Sequence, residues 1–197
     1  MRLYGLLVLA TVGCGDDLSP DRMDGMHADD AAIDARKNPS CAFAPPAAPT
    51  GGSAELGAAD PPDLNNFTPV DDGDTFQSYS GPQGGYHLWI DVRIKDMDPG
   101  DGNDTFTRPQ TKFNIYVQDG TRVNLEDCAY RLAYHDGGDG YLYLSVAWLN
   151  QVLPDVGVAI NDTPLRLEVD VLDRNGLYAV DSRQVIALKP IPTPIGP

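Results

Sequence analysis

The stretch Tyr86-His-Leu-Trp-Ile-Asp-Val-Arg-Ile-Lys95 decides the fold. Read with a period of two, Leu88, Ile90, Val92 and Ile94 point to one side, and His87, Trp89, Asp91, Arg93 and Lys95 to the other. Such alternation belongs to a strand with one buried face, and the β-branched residues suit a pleated surface. The same spacing recurs at Phe113, Ile115 and Val117, at Tyr130, Leu132 and Tyr134, at Leu142, Leu144, Val146 and Trp148, and at Leu165, Leu167, Val169 and Val171. Gly, Asp, Asn and Pro separate these segments, which predicts short strands joined by turns over residues 66–190.

Asp173-Arg-Asn-Gly176 joins Leu165–Leu172 to Tyr178–Leu188, and its Asn-Gly pair predicts a type I′ hairpin in which both central residues take positive φ. Asp119-Gly120 predicts another hairpin, between Phe113–Gln118 and Thr121–Leu125. Trp148–Pro154 reads as a brief helical or irregular crossover, and Pro190, Pro192 and Pro194 end the last strand and leave a stiff tail at 191–197. About seven to nine strands with uneven spacing, closed by a hairpin resembling the F–G pair, predict an all-β, immunoglobulin-like antiparallel β-sandwich rather than a closed barrel. No strand–helix–strand alternation is present, so doubly wound nucleotide-binding folds are excluded.

Toward the N-terminus, residues 15–65 are rich in Asp, Ala and Pro and carry no sustained period. The run Ala44-Pro-Pro-Ala-Ala-Pro-Thr-Gly-Gly-Ser-Ala54 suits an extended, then flexible spacer, so this part is expected to be a disordered, solvated tether. Ahead of it, Arg2 precedes an apolar run from Leu3 to Val12, shorter than the roughly 20 residues a spanning helix needs. The start, ending Thr11-Val-Gly-Cys14, resembles a bacterial lipobox: Val12 and Gly13 match, and Thr11 stands where that pattern usually has Leu. The resemblance implies that residues 1–14 are a signal peptide with Cys14 as the lipidated cysteine. Gly15, rather than Asp, follows the cysteine, which by the same resemblance implies an outer-membrane lipoprotein facing the periplasm or the cell surface. Phe67-Thr-Pro-Val-Asp-Asp-Gly-Asp74 and Gly81-Pro-Gln-Gly-Gly-Tyr-His-Leu-Trp89 are similar to segments of uncharacterised secreted bacterial lipoproteins that place one β-rich domain behind such a start. That resemblance bears on location and architecture and implies no reaction.

With Cys14 given to lipid, Cys41 and Cys128 remain as a pair that would oxidise outside the cytoplasm; two buried free thiols are the competing reading. A formal charge of −15 argues against nucleic acid as a partner, because phosphates need Lys and Arg to neutralise them. It equally disfavours anionic lipid, leaving membrane attachment to the acyl chains.

Two constellations are candidates for function. The outward row His87, Trp89, Asp91 and Arg93 places a large ring beside polar groups, as a protein- or glycan-contacting surface would. The competing reading is that the tether, or Phe67 and Phe76, covers this face and makes Trp89 part of a second small core. The loop after Lys95 crowds Asp96, Asp98, Asp101, Asn103 and Asp104 beside flexible glycines, an oxygen-rich set that calcium could use, or simply a solvated hairpin tip. Asp136-Gly-Gly-Asp-Gly140 is a weaker case of the same kind. Blue copper is excluded, because Cys128 and His135 have no Met after them. Catalytic motifs are lacking, and Glu126–Asp127 and Glu168–Asp170 come nearest to a carboxylate pair, the latter on the polar side of a strand. The expectation is a non-catalytic module for a protein or glycan, with no cofactor other than calcium; the alternatives are a structural subunit of an envelope assembly and an enzyme acting on envelope polysaccharide.

Overall fold

The computed structural model describes residues 39–40, 42–80, 85–125, 127–152 and 160–193. Over these residues the chain is an all-β sandwich of two sheets. The first sheet runs β1 (Pro39–Ser40), β8 (Ala129–Arg131), β7 (Gln110–Val117), β12 (Thr163–Leu172), β13 (Tyr178–Ala187) and β4 (Thr75–Phe76). The second is built around β6 (Tyr86–Lys95), which takes β2 (Ser53–Ala58) and β5 (Tyr79–Ser80) on one edge and β11 (Trp148–Val152) and β10 (Leu142–Leu144) on the other. β3 (Thr68–Pro69), β9 (Tyr134–Asp136) and β14 (Ile191–Pro192) pair with β2, β10 and β5 respectively.

The alternation in β6 is realised as expected: Leu88, Ile90, Val92 and Ile94 are each 0% exposed, in one core with Ile115, Leu165, Leu167 and Val171 of the other sheet. Each such side chain contributes roughly 1.5–3 kcal/mol by leaving water. The longest pairing is the β12–β13 hairpin, ten residues on each strand, and β4 and β5 lie close in sequence but join different sheets. β4 runs parallel to β13 in one sheet, and β5 runs antiparallel to β6 in the other. Between them, buried Ser78 donates to the Leu188 carbonyl at 2.6 Å and fixes the crossing point.

The tether expected over 15–65 ends earlier than residue 65. Ser53–Ala58 pairs with Lys95 through Ile90, and Leu56 is 0% exposed in the core. Ala54, Leu56 and Ala58 form an inward row, but two of its three members are too small to stand out as an apolar period. The Leu56 N–H donates to Asp181 Oδ2 at 2.8 Å, so a side chain of the first sheet closes the seam against a strand of the second. Pro39 and Ser40 also pair, with Tyr130 and Ala129.

Three further expectations change. At 173–176 only Gly176 has positive φ, +84°; Gly176 N–H bonds Asp173 O and Asp173 N–H bonds Leu177 O, so the loop is a type I turn closed by a left-handed glycine rather than type I′. Trp148–Val152 is a regular strand on β6 rather than a crossover. Two extra residues are accommodated between the Leu142↔Ile94 and Trp148↔Ile90 pairs, which keeps Leu144 and Trp148 inward and leaves Val146 half-buried. In the expected tail, Ile191–Pro192 adds to the second sheet beside β5. The Asp119-Gly120 hairpin is present, with Val117 N–H bonded to Thr121 O and Gly120 at φ +85°.

Candidate functional site

The outer face of the second sheet carries the row His87, Trp89, Asp91, Arg93 and Lys95, and the strand register decides what lies beside each. Glu55 of β2 and Tyr143 of β10 flank Arg93; Gly57 flanks Asp91; Leu149 flanks Trp89; Gln151 flanks His87. Gly57 matters for what it lacks. A Cβ there would stand 2.3 Å from the Phe67 ring, so glycine lets Phe67 lie flat across β2. Gly137 does the same for Tyr143, whose ring would also be 2.3 Å from an added Cβ.

The result is a small aromatic and cationic cluster. Arg93 Nε donates to Glu55 Oε2 at 2.6 Å, and its guanidinium stands 5.0 Å from the Phe67 ring centre and 4.2 Å from that of Tyr141. Lys95 Nζ is 5.2 Å from the Tyr141 ring. Phe67 and Tyr143 meet edge to face at 5.5 Å, with Tyr141 6.4 Å and His135 6.1 Å from Tyr143. The Tyr143 hydroxyl donates to Asp139 Oδ2 at 2.5 Å, which lowers the Asp139 pKa and raises that of the tyrosine. Hydrogen bonding to Glu55 holds Arg93 charged. Phe67, Tyr141 and Tyr143 are half-buried and His135 is exposed, so the cluster is fixed from beneath and open above.

Of the four row residues expected to form a binding surface, only Arg93 belongs to this cluster. Asp91, expected on an open face, is 0% exposed, and the Phe67 ring lies over Gly57, its cross-strand neighbour. Its Oδ1 accepts the Val92 N–H at 2.7 Å, and its Oδ2 is buried without a partner. Desolvation pushes its pKa up to about 7. Trp89 is half-buried with its indole N–H buried and unpartnered, and its carbonyl accepts the Ala59 N–H at 3.4 Å. His87 lies further along, beside β5 and β11. Of the residues that could have covered this face, Phe67 stands over Gly57, Ala59 from the expected tether bonds the Trp89 carbonyl, and Phe76 sits in the main core at 2% exposure.

The oxygen-rich loop is occupied by its own turn chemistry. Asp98 Oδ2 accepts from Arg174 Nε at 2.7 Å and Asn175 Nδ2 at 2.9 Å, and Oδ1 from the Gly100 N–H at 2.8 Å. The Gly100 amide, then Arg174, lower the Asp98 pKa. In return Asp173 accepts the N–H groups of Asp98, Asn175 and Leu177, a reciprocal clasp between two loops. Asp101 and Asp104 accept the Asn103 and Phe106 amides, and Asp96 is exposed at φ +57°. Among the described residues, no three His, Cys, Asp or Glu side chains converge to hold a metal. On the other sheet, Glu168 pairs with Arg166, and Asp170 accepts from Tyr178 and Asn114. A shallow cavity of about 330 Å³ lies over Glu168, Asp170, Val180 and Ser182.

Cys128 is disulfide-bonded. Its expected partner Cys41, like the expected lipid site Cys14, lies outside the described residues; Ser40, one residue before Cys41, pairs with Ala129, one residue after Cys128. Tyr141 and Tyr143 escaped notice as site residues, though they are the outward complement of the inward Leu142–Leu144 row. Glu55 gave no local signal, since it arrives from a distant part of the chain, and Phe67 is expected from the sequence only as a cover for the row. Comparison with protein-family models, curated proteins and solved structures finds no match.

Proposed function

We propose that the protein is an envelope-anchored lipoprotein whose sandwich binds a glycan, without catalysis, through Phe67, Arg93, Tyr141 and Tyr143. One observation carries the reading: a guanidinium set against the Phe67 and Tyr141 rings and fixed by Glu55. Rings offer flat apolar area to the C–H faces of a sugar, while Arg93, Glu55, Asp139 and the Tyr143 hydroxyl are pre-positioned to meet sugar hydroxyls. Pre-organisation lowers the ordering cost of binding. The lipobox-like start supports the anchored location, and the disulfide at Cys128 fits an oxidising compartment.

The test is titration of the protein with soluble peptidoglycan fragments and lipopolysaccharide-derived oligosaccharides, followed by NMR and calorimetry. Binding should perturb Tyr141 and Tyr143 and fall about tenfold or more in Tyr141→Ala, equivalent to about 1.4 kcal/mol. Saturable binding that Tyr141→Ala and Arg93→Ala leave intact, or no binding across the panel, would remove the proposal.

A further inference from the structure

We infer that Asp91 is a proton-operated latch beneath the Phe67–Arg93 stack, holding the recognition surface assembled when protonated and loosening it when charged. The inference rests on the proposed use of that surface for binding.

The geometry begins with a carboxyl group where the strand period calls for an exposed side chain. Asp91 is 0% exposed, one oxygen accepts its neighbour's amide, and the other has no partner. A neutral carboxyl is tolerated in such a site; an ionised one is not, because nothing replaces the water it has lost. Phe67 lies across Gly57, the residue paired with Asp91, and it also supplies one of the two rings flanking Arg93. Whatever lifts Phe67 to admit water to Asp91 therefore takes apart half of the Arg93 stack.

The charged and titratable groups around Asp91 do not relieve it. Glu55 on β2 and Arg93 on β6 are tied to each other at 2.6 Å. From β9, the Tyr134 hydroxyl is near enough to be raised by the Asp91 charge, but it is hydrogen-bonded to Thr111 at 2.9 Å. In the segment leading to Phe67, Asp60 accepts from the Tyr79 hydroxyl at 2.8 Å. On the β10–β11 side, the intervening residues Ser145, Val146 and Ala147 carry no titratable group. The covering segment is held at its ends by the pairing of β3 with β2 and by Asp60 and Val70, which accept from Tyr79 and Arg183; nearer Asp91, Ala59 N–H bonds Trp89 O at 3.4 Å, Val70 N–H bonds Leu56 O at 3.3 Å, and Ala147 N–H bonds Leu64 O at 2.9 Å. The step is a simple one, with Asp91 releasing its proton to water as the segment opens.

Amide hydrogen exchange of the full chain at pH 5 and pH 8, corrected for the intrinsic rate, tests the latch at Ala59, Val70 and Ala147. With Asp91 titrating at about 7 when covered and near 3.8 when open, linkage predicts protection up to roughly 100-fold lower at pH 8. Asp91→Asn should show equal protection at both values. Equal protection in the wild type, or an equal fall in Asp91→Asn, overturns the inference. Should that variant not fold, the carboxyl 13C shift of Asp91 in the wild-type protein decides instead, since a midpoint near 4 would overturn it and one near 7 supports it. None of these readouts uses a glycan, so failure of the latch and failure of the binding proposal are separately visible.

Discussion

Replacing Leu56 by Ala tests whether the segment that reads as linker is structural. The side chain is 0% exposed, and the change leaves intact the backbone N–H that Asp181 accepts, so the loss isolates side-chain burial. Three carbons at about 0.8 kcal/mol each give about 2.4 kcal/mol. An unrelaxed cavity raises this toward about 5 kcal/mol. With a urea slope of about 2 kcal/mol per M, the midpoint should fall by roughly 1–2.5 M. Equilibrium urea denaturation of Leu56→Ala is compared with that of Ser53→Ala, an exposed change on the same strand expected to cost under about 0.5 kcal/mol. A Leu56→Ala loss below about 1 kcal/mol would refute the placement of β2 in the core.

Two other predictions concern carboxylates. Asp91 has a folded pKa above its unfolded value, so between pH 4 and 7 the native state holds more protons and its stability falls as pH rises; about three pKa units correspond to at most about 4 kcal/mol. Thermal unfolding from pH 4 to 8 should show this decline in the wild type and a flatter curve in Asp91→Asn, with Asp181, whose pKa desolvation also raises, still contributing in the same direction; parallel curves would contradict the assignment. Asp173→Ala leaves the N–H groups of Asp98, Asn175 and Leu177 without their acceptor, and should cost about 3 kcal/mol by urea denaturation together with faster amide exchange at Leu177. A loss under about 1 kcal/mol would mean that the clasp adds nothing beyond the turn.

What could be read from the sequence follows how local each signal is. The inward row of β6 and the β12–β13 hairpin depend on neighbours two residues apart and a turn between adjacent strands, and both are legible. β2 is hidden because Ala54, Gly57 and Ala58 serve a sheet and a linker equally well in composition; only the distant Asp181 and Phe67 distinguish the two. Strand period also places Asp91 with Arg93 on the open face, since the period reports direction and not what later folds over it. Asn-Gly at 175–176 marks a turn correctly, but Asp173 selects its type by drawing in the Asn175 and Leu177 amides. For the acidic loop the residue types speak equally for cation and for turn, and the choice lies with Arg174 and Asn175, seventy-odd positions away.

The attachment at Cys128 has a mechanical side. Strand β1 contributes only two residues beside β8, too short a ladder to resist being peeled away. The disulfide at Cys128 adjoins that ladder, and the other two cysteines both stand on the N-terminal side of the sequence. With Cys41 as the partner, a pull arriving from that side would be delivered through a covalent bond into β8 and its neighbour β7, and β2 with its buried Leu56 would be shielded from the load. Under reducing conditions the same force would fall on two ladder pairs and then unzip β2 from β6, so the oxidised protein should withstand tension that strips the reduced one strand by strand.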